Sequence, residues 1–465
     1  MLIKPFKAFR FNPTVVGDVG NCIAPPYDVI SEAAQHQLLE KSKYNIVRVT
    51  KGTEKASDTQ KDNQYTRAAG FLEQWIELGA LRQDKDEAIY AYVQDFRVSS
   101  FVTRDSNLRA TSDERQVMRY SFIALGKLEE FGEVVKPHEQ ILEKPMADRL
   151  NLKKATLADL GLVFMLYEDN QKIADRIISS LVVRDSSLGD SSHESRDTSH
   201  PLIDFVDEQD VRHQLFNISD KKEIEQIVSM MKDKSCIIAD GHHRYTTGLK
   251  FAKESGMPEA QYQMIGFANT NQDGLIVLAT HRVVENLKNF SLQKVIEGLK
   301  KRFQVTEYLY TDNKAKSLAK KKMLEHMRAE HKENKSAFGI YGGNNAFYVA
   351  VLKDKDAINK AAPQMSPAWR TLDLAILHKL ILEELLGIDQ NLLAKGGNLQ
   401  YVKDTPNAID DTIDDIDSGD KQAAFFTNAV TINQLKMVTD AGERMPQKAT
   451  YFYPKLYSGL TIHKL

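Results

Sequence analysis

The residues best suited to catalysis or ligand binding form the run Asp-Gly-His-His-Arg at positions 240–244. The run follows an apolar stretch, residues 236–239, and precedes apolar positions at helical spacing in residues 245–252. This pattern predicts a strand, a tight glycine turn and the first turn of a helix. At such a junction, the free backbone N–H groups and the positive end of the helix dipole favour an anion. The run therefore predicts a phosphate site, to which the arginine adds a planar fork of donors.

The adjacent histidines of this run point to contacts with two different groups. On a helix, His242 and His243 project about 100° apart, so they do not easily share one metal ion. We interpret them as separate contacts to phosphate oxygens or protons. A simpler interpretation is that Asp240 caps the helix and that both histidines are exposed residues of its first turn. The sequence leaves both interpretations open.

A second candidate segment is Lys-Pro-His-Glu at residues 136–139. A carboxylate in a turn stiffened by proline is suited to act as a general base, because a hydroxyl nucleophile must pass its proton to a group within hydrogen-bonding reach. Glu139 is that carboxylate, and an ordinary turn residue is the alternative. His138 and Glu139 could begin a zinc-hydrolase motif, but the second histidine of that motif is absent, because its position is occupied by Leu142.

Two further groups of residues are candidates for binding. Lys448 and Lys455, interleaved with tyrosines, supply further phosphate contacts if the C-terminal tail folds back onto the site, and they are otherwise lysines of an edge strand. Thr280, His281 and Arg282 follow an apolar run and are candidates to hold a substrate carboxylate, with a structural role as the alternative.

A proline-rich turn near the N-terminus also carries polar side chains. Tyr27 and Asp28 follow Ala-Pro-Pro at residues 24–26. We interpret both as turn residues, with a role at a functional site as the alternative.

The composition is that of a soluble globular protein. Of 465 residues, 42% are hydrophobic and 27% are charged, and the length predicts two to four domains. With 62 Lys and Arg against 64 Asp and Glu, the net charge of −2 creates no field that would attract nucleic acid or a membrane. The 2 cysteines cannot form a disulfide framework, and the N-terminal segment lacks the apolar region of a signal peptide. We therefore expect a cytoplasmic protein.

The order of predicted elements indicates three regions with mixed α and β structure. We expect an N-terminal α/β region at 1–125, a catalytic core at 126–290 and a C-terminal α+β domain at 291–465. The polar stretch 184–200 is predicted to be a surface insertion of the core.

Several local elements are predicted with definite bounds. They are a hairpin of strands 88–96 and 119–126, a hairpin of strands 336–341 and 346–352 around a Gly-Gly-Asn-Asn turn, and a core helix over 372–386 that ends at a glycine. The Lys-rich helix at 314–328 and the acidic run at 410–417 are interpreted as solvated surfaces.

Two of these motifs carry a resemblance to known families. Pro-His-Glu, followed later by a strand and Asp-Gly-His-His-Arg, resembles the active-site pair of the ParB/sulfiredoxin-like superfamily, and in particular its free L-serine kinases. Nearly the whole chain resembles the family catalogued as domain of unknown function 1015, on signatures at residues 24–30, 136–139 with 148–150, 239–245, 275–282, 372–373 and 445–455.

The resemblance implies a kinase that uses pyrophosphate to convert free L-serine to O-phospho-L-serine for cysteine synthesis. It makes Glu139 the base that takes the hydroxyl proton, and Asp240 the residue that orients Mg²⁺ or the nucleophile. His242, His243 and Arg244 would hold the donor phosphates, His243 taking part in catalysis, with further phosphate contacts expected from Lys136, His138 and Gly241. The chain departs from the family pattern at Gln140, Ile141 and Ala279, which leaves the shape of the local loops open.

Three alternatives compete with this interpretation. A nucleic-acid-binding module of the same superfamily would need a basic face, which the charge balance argues against. Sulfiredoxin-type repair needs a cysteine where the chain has His242. The third alternative is a sensor that binds phosphate or nucleotide without catalysis, and only an activity assay would distinguish it from a kinase.

We therefore expect an α+β, mixed-sheet, multi-domain protein with a ParB/sulfiredoxin-like catalytic core. It would be a Mg²⁺-dependent serine kinase whose partners are small molecules, with pyrophosphate preferred over a nucleotide as donor. The sequence leaves the oligomeric state open.

Overall fold

The computed structural model describes residues 1–99, 114–140, 143–187 and 200–465. The chain divides into two compact units. The first unit comprises Met1–Pro137, Ile141–Ile276 and Pro454–Leu465, and the second comprises His138–Gln140 and Val277–Tyr453. Both units combine helices with sheets, so the predicted α+β, mixed-sheet, multi-domain architecture is confirmed.

The strands are numbered in chain order. They are β1 Ile3–Lys4, β2 Phe9–Phe11, β3 Leu81–Gln83, β4 Ile89–Ser99, β5 Glu114–Lys127, β6 Val135–Lys136, β7 Ala158–Asp159, β8 Val163–Tyr167, β9 Ile203–Val206, β10 Arg212–Ile218, β11 Cys236–Asp240, β12 Tyr262–Asn269, β13 Ile276–Leu278, β14 Thr280–Val284, β15 Phe303–Leu309, β16 Ala337–Tyr341, β17 Ala346–Leu352, β18 Leu399–Lys403, β19 Ala423–Phe426, β20 Tyr451–Tyr453 and β21 His463–Lys464.

The α-helices are numbered in the same way. They are α1 Pro13–Val16, α2 Glu32–Lys41, α3 Val47–Thr50, α4 Gln64–Glu77, α5 Glu143–Thr156, α6 Ile173–Ser187, α7 Lys221–Met231, α8 His242–Ser255, α9 Leu292–Leu299, α10 Asn313–Lys332, α11 Asp356–Ala361, α12 Pro367–Arg370, α13 Asp373–Ile376, α14 Gln390–Lys395, α15 Ala408–Asp417 and α16 Ile432–Asp440. Short 3₁₀ helices span Val19–Cys22, Tyr27–Val29 and Glu259–Gln261, and a π-helix spans Leu377–Glu383.

The first unit is built on a mixed sheet in the order β6-β11-β8-β12-β5-β4-β10-β9, with β1 paired to β5. The pairs β6/β11 and β8/β12 are parallel, and the other pairs are antiparallel. The strand β11 is fully apolar up to residue 239 and buried there, which agrees with its position between two neighbours. The polar run at 240–244 therefore begins at the end of an interior strand.

Two apolar clusters stabilise the first unit. One lies against the large sheet and includes Phe122, Ile238, Tyr245 and Phe267. The other gathers side chains of the N-terminal helices around Trp75, whose ring packs on those of Phe11, Tyr44 and Phe71. Both cysteines, Cys22 and Cys236, are buried free thiols.

The second unit contains an antiparallel sheet in the order β15-β17-β16-β19-β14-β18. Helices α10 and α15 contribute side chains to its core, among them Met323, Met327, Ile413 and Ile416. The predicted hairpin around the Gly-Gly-Asn-Asn turn is confirmed as β16 and β17.

Other local predictions are confirmed with changed bounds. The N-terminal hairpin consists of β4 and β5, which are longer than predicted, and residues 100–113 of its connection lie outside the described residues. The predicted core helix at 372–386 is α13 followed by the π-helix, and the chain turns at Gly387 with φ of 69°.

The three predicted regions stay a prediction. The boundary near 125 falls inside strand β5, and the two compact units meet in sequence at Ile276 and Val277. Of the predicted insertion at 184–200, residues 184–187 continue helix α6, and residues 188–199 lie outside the described part of the chain. In the ranges that the structure describes, no helix combines the length and the apolar character needed to cross a bilayer.

Candidate functional site

The candidate site is centred on the predicted strand–turn–helix at residues 240–244. Strand β11 ends at Asp240, Gly241 occupies the N-cap position with φ of 88°, and helix α8 begins at His242. This left-handed backbone conformation suits glycine, because a side chain there is strained. A Cβ atom on Gly241 would also lie 3.0 Å from Nε of Arg244. The glycine thus lets the arginine side chain fold back over the turn.

Arg244 is fixed at the turn by contacts on two sides. Its Nη1 donates a hydrogen bond to the carbonyl oxygen of Leu162, and its Nη2 lies 3.5 Å from Oδ1 of Asp240. The guanidinium also lies close to Gly161, where a Cβ atom would be 3.5 Å from Nη1. The fork of donors predicted from the sequence therefore lies over the turn itself.

A second cation, Lys455, completes the surroundings of Asp240. Its Nζ donates to Oδ2 of Asp240 over 2.9 Å. Its backbone is anchored from the large sheet, because the buried Arg119 donates to the carbonyl of Pro454 over 2.5 Å and Gln94 donates to that of Lys455 over 2.9 Å. The C-terminal tail thus folds back onto the turn, as one reading of the sequence predicted for Lys455.

Two positive charges face one carboxylate in this cluster. Burial alone would raise the pKa of Asp240, but Lys455, Arg244 and His242 outweigh it and hold the pKa well below its ordinary value. Asp240 is therefore ionised at neutral pH. The pair of cations leaves an excess positive charge beside the first turn of α8, and such an environment favours an anion.

A buried polar network lies behind the segment that carries Lys455. His213 contacts Oδ2 of Asp207 at 3.0 Å through Nε2 and the hydroxyl of Tyr92 at 2.6 Å through Nδ1, while Tyr457 donates to Asp207 over 2.7 Å. Burial lowers the pKa of His213 despite its acidic neighbour. These contacts fasten the chain on the C-terminal side of Lys455.

The other predicted residues of the turn differ in exposure. His242 is buried and His243 is partly exposed, so the interpretation of two exposed histidines does not hold for His242. Lys136 lies opposite Ile237 in the parallel pair β6/β11, which brings its backbone beside the strand that ends at Asp240.

The predicted base belongs to the second unit, whereas Asp240 belongs to the first. The turn of Glu139 is held by hydrogen bonds to its backbone: Met445 donates to the carbonyl of His138 over 2.9 Å, and Arg444 donates to that of Glu139 over 3.2 Å. The ring of His138 is buried and contacts the hydroxyl of Thr450 at 2.7 Å. Glu139 itself is partly exposed.

The contacts of Thr280, His281 and Arg282 favour the structural alternative. All three are buried in β14. The guanidinium of Arg282 donates to backbone carbonyls, among them that of Gln447 at 2.9 Å, and lies over the ring of Tyr401. These bonds fasten the chain before β20 and already use the donors that a substrate carboxylate would need.

Lys448 is also placed in the second unit. Its side chain is exposed and its backbone has φ of 52°. Its carbonyl accepts a hydrogen bond from Arg282 over 3.3 Å. A role of Lys448 in phosphate binding stays a prediction.

The residues at the turn are suited to hold Mg²⁺ only together with bound phosphate groups. Within the described ranges, no group of three or more His, Cys, Asp or Glu side chains is arranged to hold a metal ion. Mg²⁺ in phosphoryl-transfer sites commonly takes one or two carboxylates and completes its octahedron with water and substrate phosphates. Asp240 is suited to supply such a carboxylate.

The contact between the proline-rich turn and the C-terminal tail was not predicted from the sequence. Ala24 forms a β-bridge with Ser458, three residues beyond Lys455. The ring of Tyr27 packs under the guanidinium of Arg149, with 3.9 Å between the arginine Cζ and the ring centroid. No local signal links residues 24–27 to the tail, because the contact spans most of the chain length.

Comparison with known proteins identifies the family. The model of a family described as a protein of unknown function, DUF1015, matches residues 3–375, about four-fifths of the chain. The chain belongs to the DUF1015 family. No curated protein matches it.

Solved structures resemble this DUF1015 protein weakly. A free serine kinase in complex with AMP has 13% identity and a TM-score of 0.33, covering 71% of this chain and 86% of that one. A conserved hypothetical protein from Pyrococcus furiosus has 14% identity and a TM-score of 0.31, with coverage of 72% and 92%. SbnI with a C-terminal truncation, from Staphylococcus aureus, has 10% identity and a TM-score of 0.32, with coverage of 73% and 87%.

Replacing Gly241 by alanine tests the role of the glycine in the DUF1015 protein. We expect a loss of about 1–2 kcal/mol in stability from the left-handed backbone. If the turn holds an anion, added pyrophosphate should also bind more weakly, because the Cβ displaces Arg244. The control is Gly256→Ala at the other end of α8, where φ is 65° but no atom lies within 4 Å of the added Cβ. Thermal unfolding should show similar losses for both variants, and calorimetric titration should show weaker binding for Gly241→Ala alone.

The pH dependence of stability should carry a contribution from His378. Burial, with Arg282 and Lys379 nearby, lowers the pKa of His378 to about 3. Below about pH 6.5 the unfolded chain binds this proton and the folded chain does not. The contribution of His378 to stability is therefore fully present above that pH and is lost as the pH falls towards 3, by up to about 1.4 kcal/mol per pH unit. The thermal unfolding temperature should therefore fall more steeply from pH 7 to pH 5 for the wild type than for His378→Gln. Equal slopes would contradict an imidazole that stays neutral in the folded chain.

Proposed function

We propose that this DUF1015 protein is a phosphotransferase that phosphorylates free L-serine, with pyrophosphate as the preferred donor. The observation that carries the proposal is the cationic turn: Arg244 and Lys455 surround Asp240 at the N-terminus of helix α8. This arrangement favours a polyanion in a protein whose overall charge does not.

The reaction requires positioning and charge neutralisation from the protein. The serine hydroxyl oxygen forms a bond to one phosphorus atom of pyrophosphate, the bridging P–O bond breaks, and orthophosphate leaves with the bond's electron pair. Negative charge spreads over the transferred phosphoryl group in the transition state. Cationic side chains and backbone N–H groups fixed in advance stabilise this charge, and no covalent enzyme intermediate is needed.

Pyrophosphate suits the groups gathered at the turn. The donor consists of phosphoryl groups alone, so cations and N–H donors are sufficient to bind it. His242, His243 and the N–H groups of the first turn of α8 are proposed as further contacts, with Lys136 beside strand β11. Mg²⁺, held by Asp240 and donor phosphates, would neutralise charge on those phosphates when bound.

Glu139 is proposed as the general base on the strength of its motif. Its carboxylate would accept the hydroxyl proton of serine as the new bond forms. The fixed backbone of residues 138 and 139 supports this role, because a base must be held in place to act on one hydroxyl. The choice of L-serine as acceptor rests on the resemblance of the paired motifs to free serine kinases.

The test is a donor panel with the purified full chain. The protein is incubated with L-serine, Mg²⁺ and, in parallel, pyrophosphate, ATP, ADP or polyphosphate, and O-phosphoserine is measured by mass spectrometry. We expect product with pyrophosphate above all other donors. Product with ATP alone would show that ATP, and not pyrophosphate, is the donor. If a folded protein binds pyrophosphate but forms no product, the protein is a sensor and not a kinase.

A further inference from the structure

The proline-rich turn at residues 24–27, which carries Tyr27, is joined to the C-terminal tail at Ser458. Ala24 and Ser458 exchange backbone hydrogen bonds of 3.2 and 2.8 Å. Ser458 in turn lies beside Gly161, where a Cβ atom would be 3.1 Å from Oγ of Ser458 and 3.5 Å from Nη1 of Arg244. The turn that carries Tyr27 is therefore joined, through Ser458 and Gly161, to the arginine of the candidate site.

The ring of Tyr27 packs against Arg149, whose three nitrogen atoms each donate a hydrogen bond. Arg149 donates from Nη1 to the carbonyl of Thr50 over 2.7 Å and from Nε to Oδ2 of Asp148 over 2.7 Å. Asp148 is fixed in turn by the hydroxyl of Tyr65 at 2.9 Å. The face of the Arg149 guanidinium covers the Tyr27 ring.

The hydroxyl of Tyr27 is suited to donate a hydrogen bond. Burial raises its pKa although Arg149 and Arg244 act against that shift, so the phenol keeps its proton at neutral pH. Among the residues that the structure describes, no side chain or backbone group forms a hydrogen bond with this hydroxyl. The ring is partly exposed, so a ligand can reach it.

We propose that Tyr27 is a donor-binding residue, whose hydroxyl donates a hydrogen bond to a phosphoryl oxygen of the anion held by Arg244 and Lys455. This inference rests on the proposed function and adds a residue to its donor site. A phenol that keeps its proton suits a phosphoryl oxygen, which accepts such bonds strongly. It also gives the proline-rich turn a role beyond reversing the chain.

The test compares Tyr27→Phe with the wild type by calorimetric titration with sodium pyrophosphate. Because the variant keeps the ring and its packing under Arg149, we expect an unchanged thermal unfolding temperature and an affinity about 10-fold lower, as for the loss of one hydrogen bond to a charged group. The control is Tyr262→Phe, which removes a hydroxyl from a ring under Lys4 in strand β12 and should leave the affinity unchanged.

Each outcome decides between the two proposals. If Tyr27→Phe binds pyrophosphate as tightly as the wild type, the role of Tyr27 is overturned and the proposed function stands. The same conclusion follows if the only change in Tyr27→Phe is a higher KM for serine. No binding of pyrophosphate by the wild type would overturn both. If Tyr27→Phe does not fold, 3-fluorotyrosine at position 27 keeps the hydroxyl, and its fluorine resonance should shift on addition of pyrophosphate; an unchanged resonance would overturn the role of Tyr27.

Discussion

A Glu139→Gln variant is expected to lose about 1,000-fold in kcat for O-phosphoserine formation, which is within the range for removal of a general base. The amide has nearly the shape of the carboxylate but cannot accept the serine proton. The turn should persist, because its hydrogen bonds from Met445 and Arg444 end on backbone carbonyls. Pyrophosphate affinity and thermal unfolding should therefore stay close to wild type.

The control for this variant is Glu133→Gln, which removes an exposed carboxylate from the same segment of chain. It should turn over serine at the wild-type rate. If Glu139→Gln keeps most of its activity, another group takes the proton and the role of Glu139 is wrong. If it loses pyrophosphate binding as well, Glu139 acts on the donor site and not as the base.

The second large effect is expected at Arg244. Replacing it by methionine should weaken pyrophosphate binding about 100-fold, because the variant lacks one positive charge beside Asp240 and the guanidinium donors proposed to bind the anion. Arg244→Lys restores the charge but not the planar fork, so its affinity should lie between those of the wild type and Arg244→Met. Calorimetric titration with pyrophosphate measures all three proteins.

The matched control is Lys250→Met, which removes a cation from the exposed side of the same helix, where it pairs with Glu254 at 3.8 Å. It should bind pyrophosphate normally. Because Arg244 also donates to the carbonyl of Leu162, thermal unfolding must show that Arg244→Met is folded at the assay temperature. A folded Arg244→Met with wild-type affinity would show that the anion does not bind at this turn.

The local part of the candidate site could be predicted from the sequence. An apolar run, a single glycine and a helical pattern specify the strand, the turn and the helix at residues 236–255, since each depends on neighbours in the chain. The position of Arg244 over Gly241 follows from the same few residues. The fold class was predictable for the same reason, because both hydrophobic periods recur along the chain.

Contacts between distant segments could not be derived in this way. Nothing in the sequence favoured Lys455 over Lys448. In the structure, Lys455 donates to Asp240, and its backbone is anchored by Arg119 and Gln94. Tyr27 lies in a family signature at residues 24–30, but its local sequence indicates only a turn residue. Lys455 belongs to the same unit as Tyr27 because the C-terminal tail returns to the first unit.

The surface charges show the same limit. The Lys-rich helix α10 and the acidic helix α15 were each interpreted as a solvated surface. In the structure they pair with each other, Lys316 with Asp417 and Lys320 with Asp410. Likewise, the π-helical turns around His378 depend on packing near the buried Arg282, which a hydrophobic pattern does not encode.

The most direct test of the central claim is the phosphorus balance of the reaction, followed by ³¹P NMR in a mixture of the full chain, L-serine, Mg²⁺ and pyrophosphate. If the turn at Asp240 holds a donor for transfer to serine, the pyrophosphate signal should decay into O-phosphoserine and orthophosphate in equal amounts, and both should stay absent when serine is omitted. Orthophosphate alone, or no change while pyrophosphate binds, would contradict the assignment of this protein as a serine kinase.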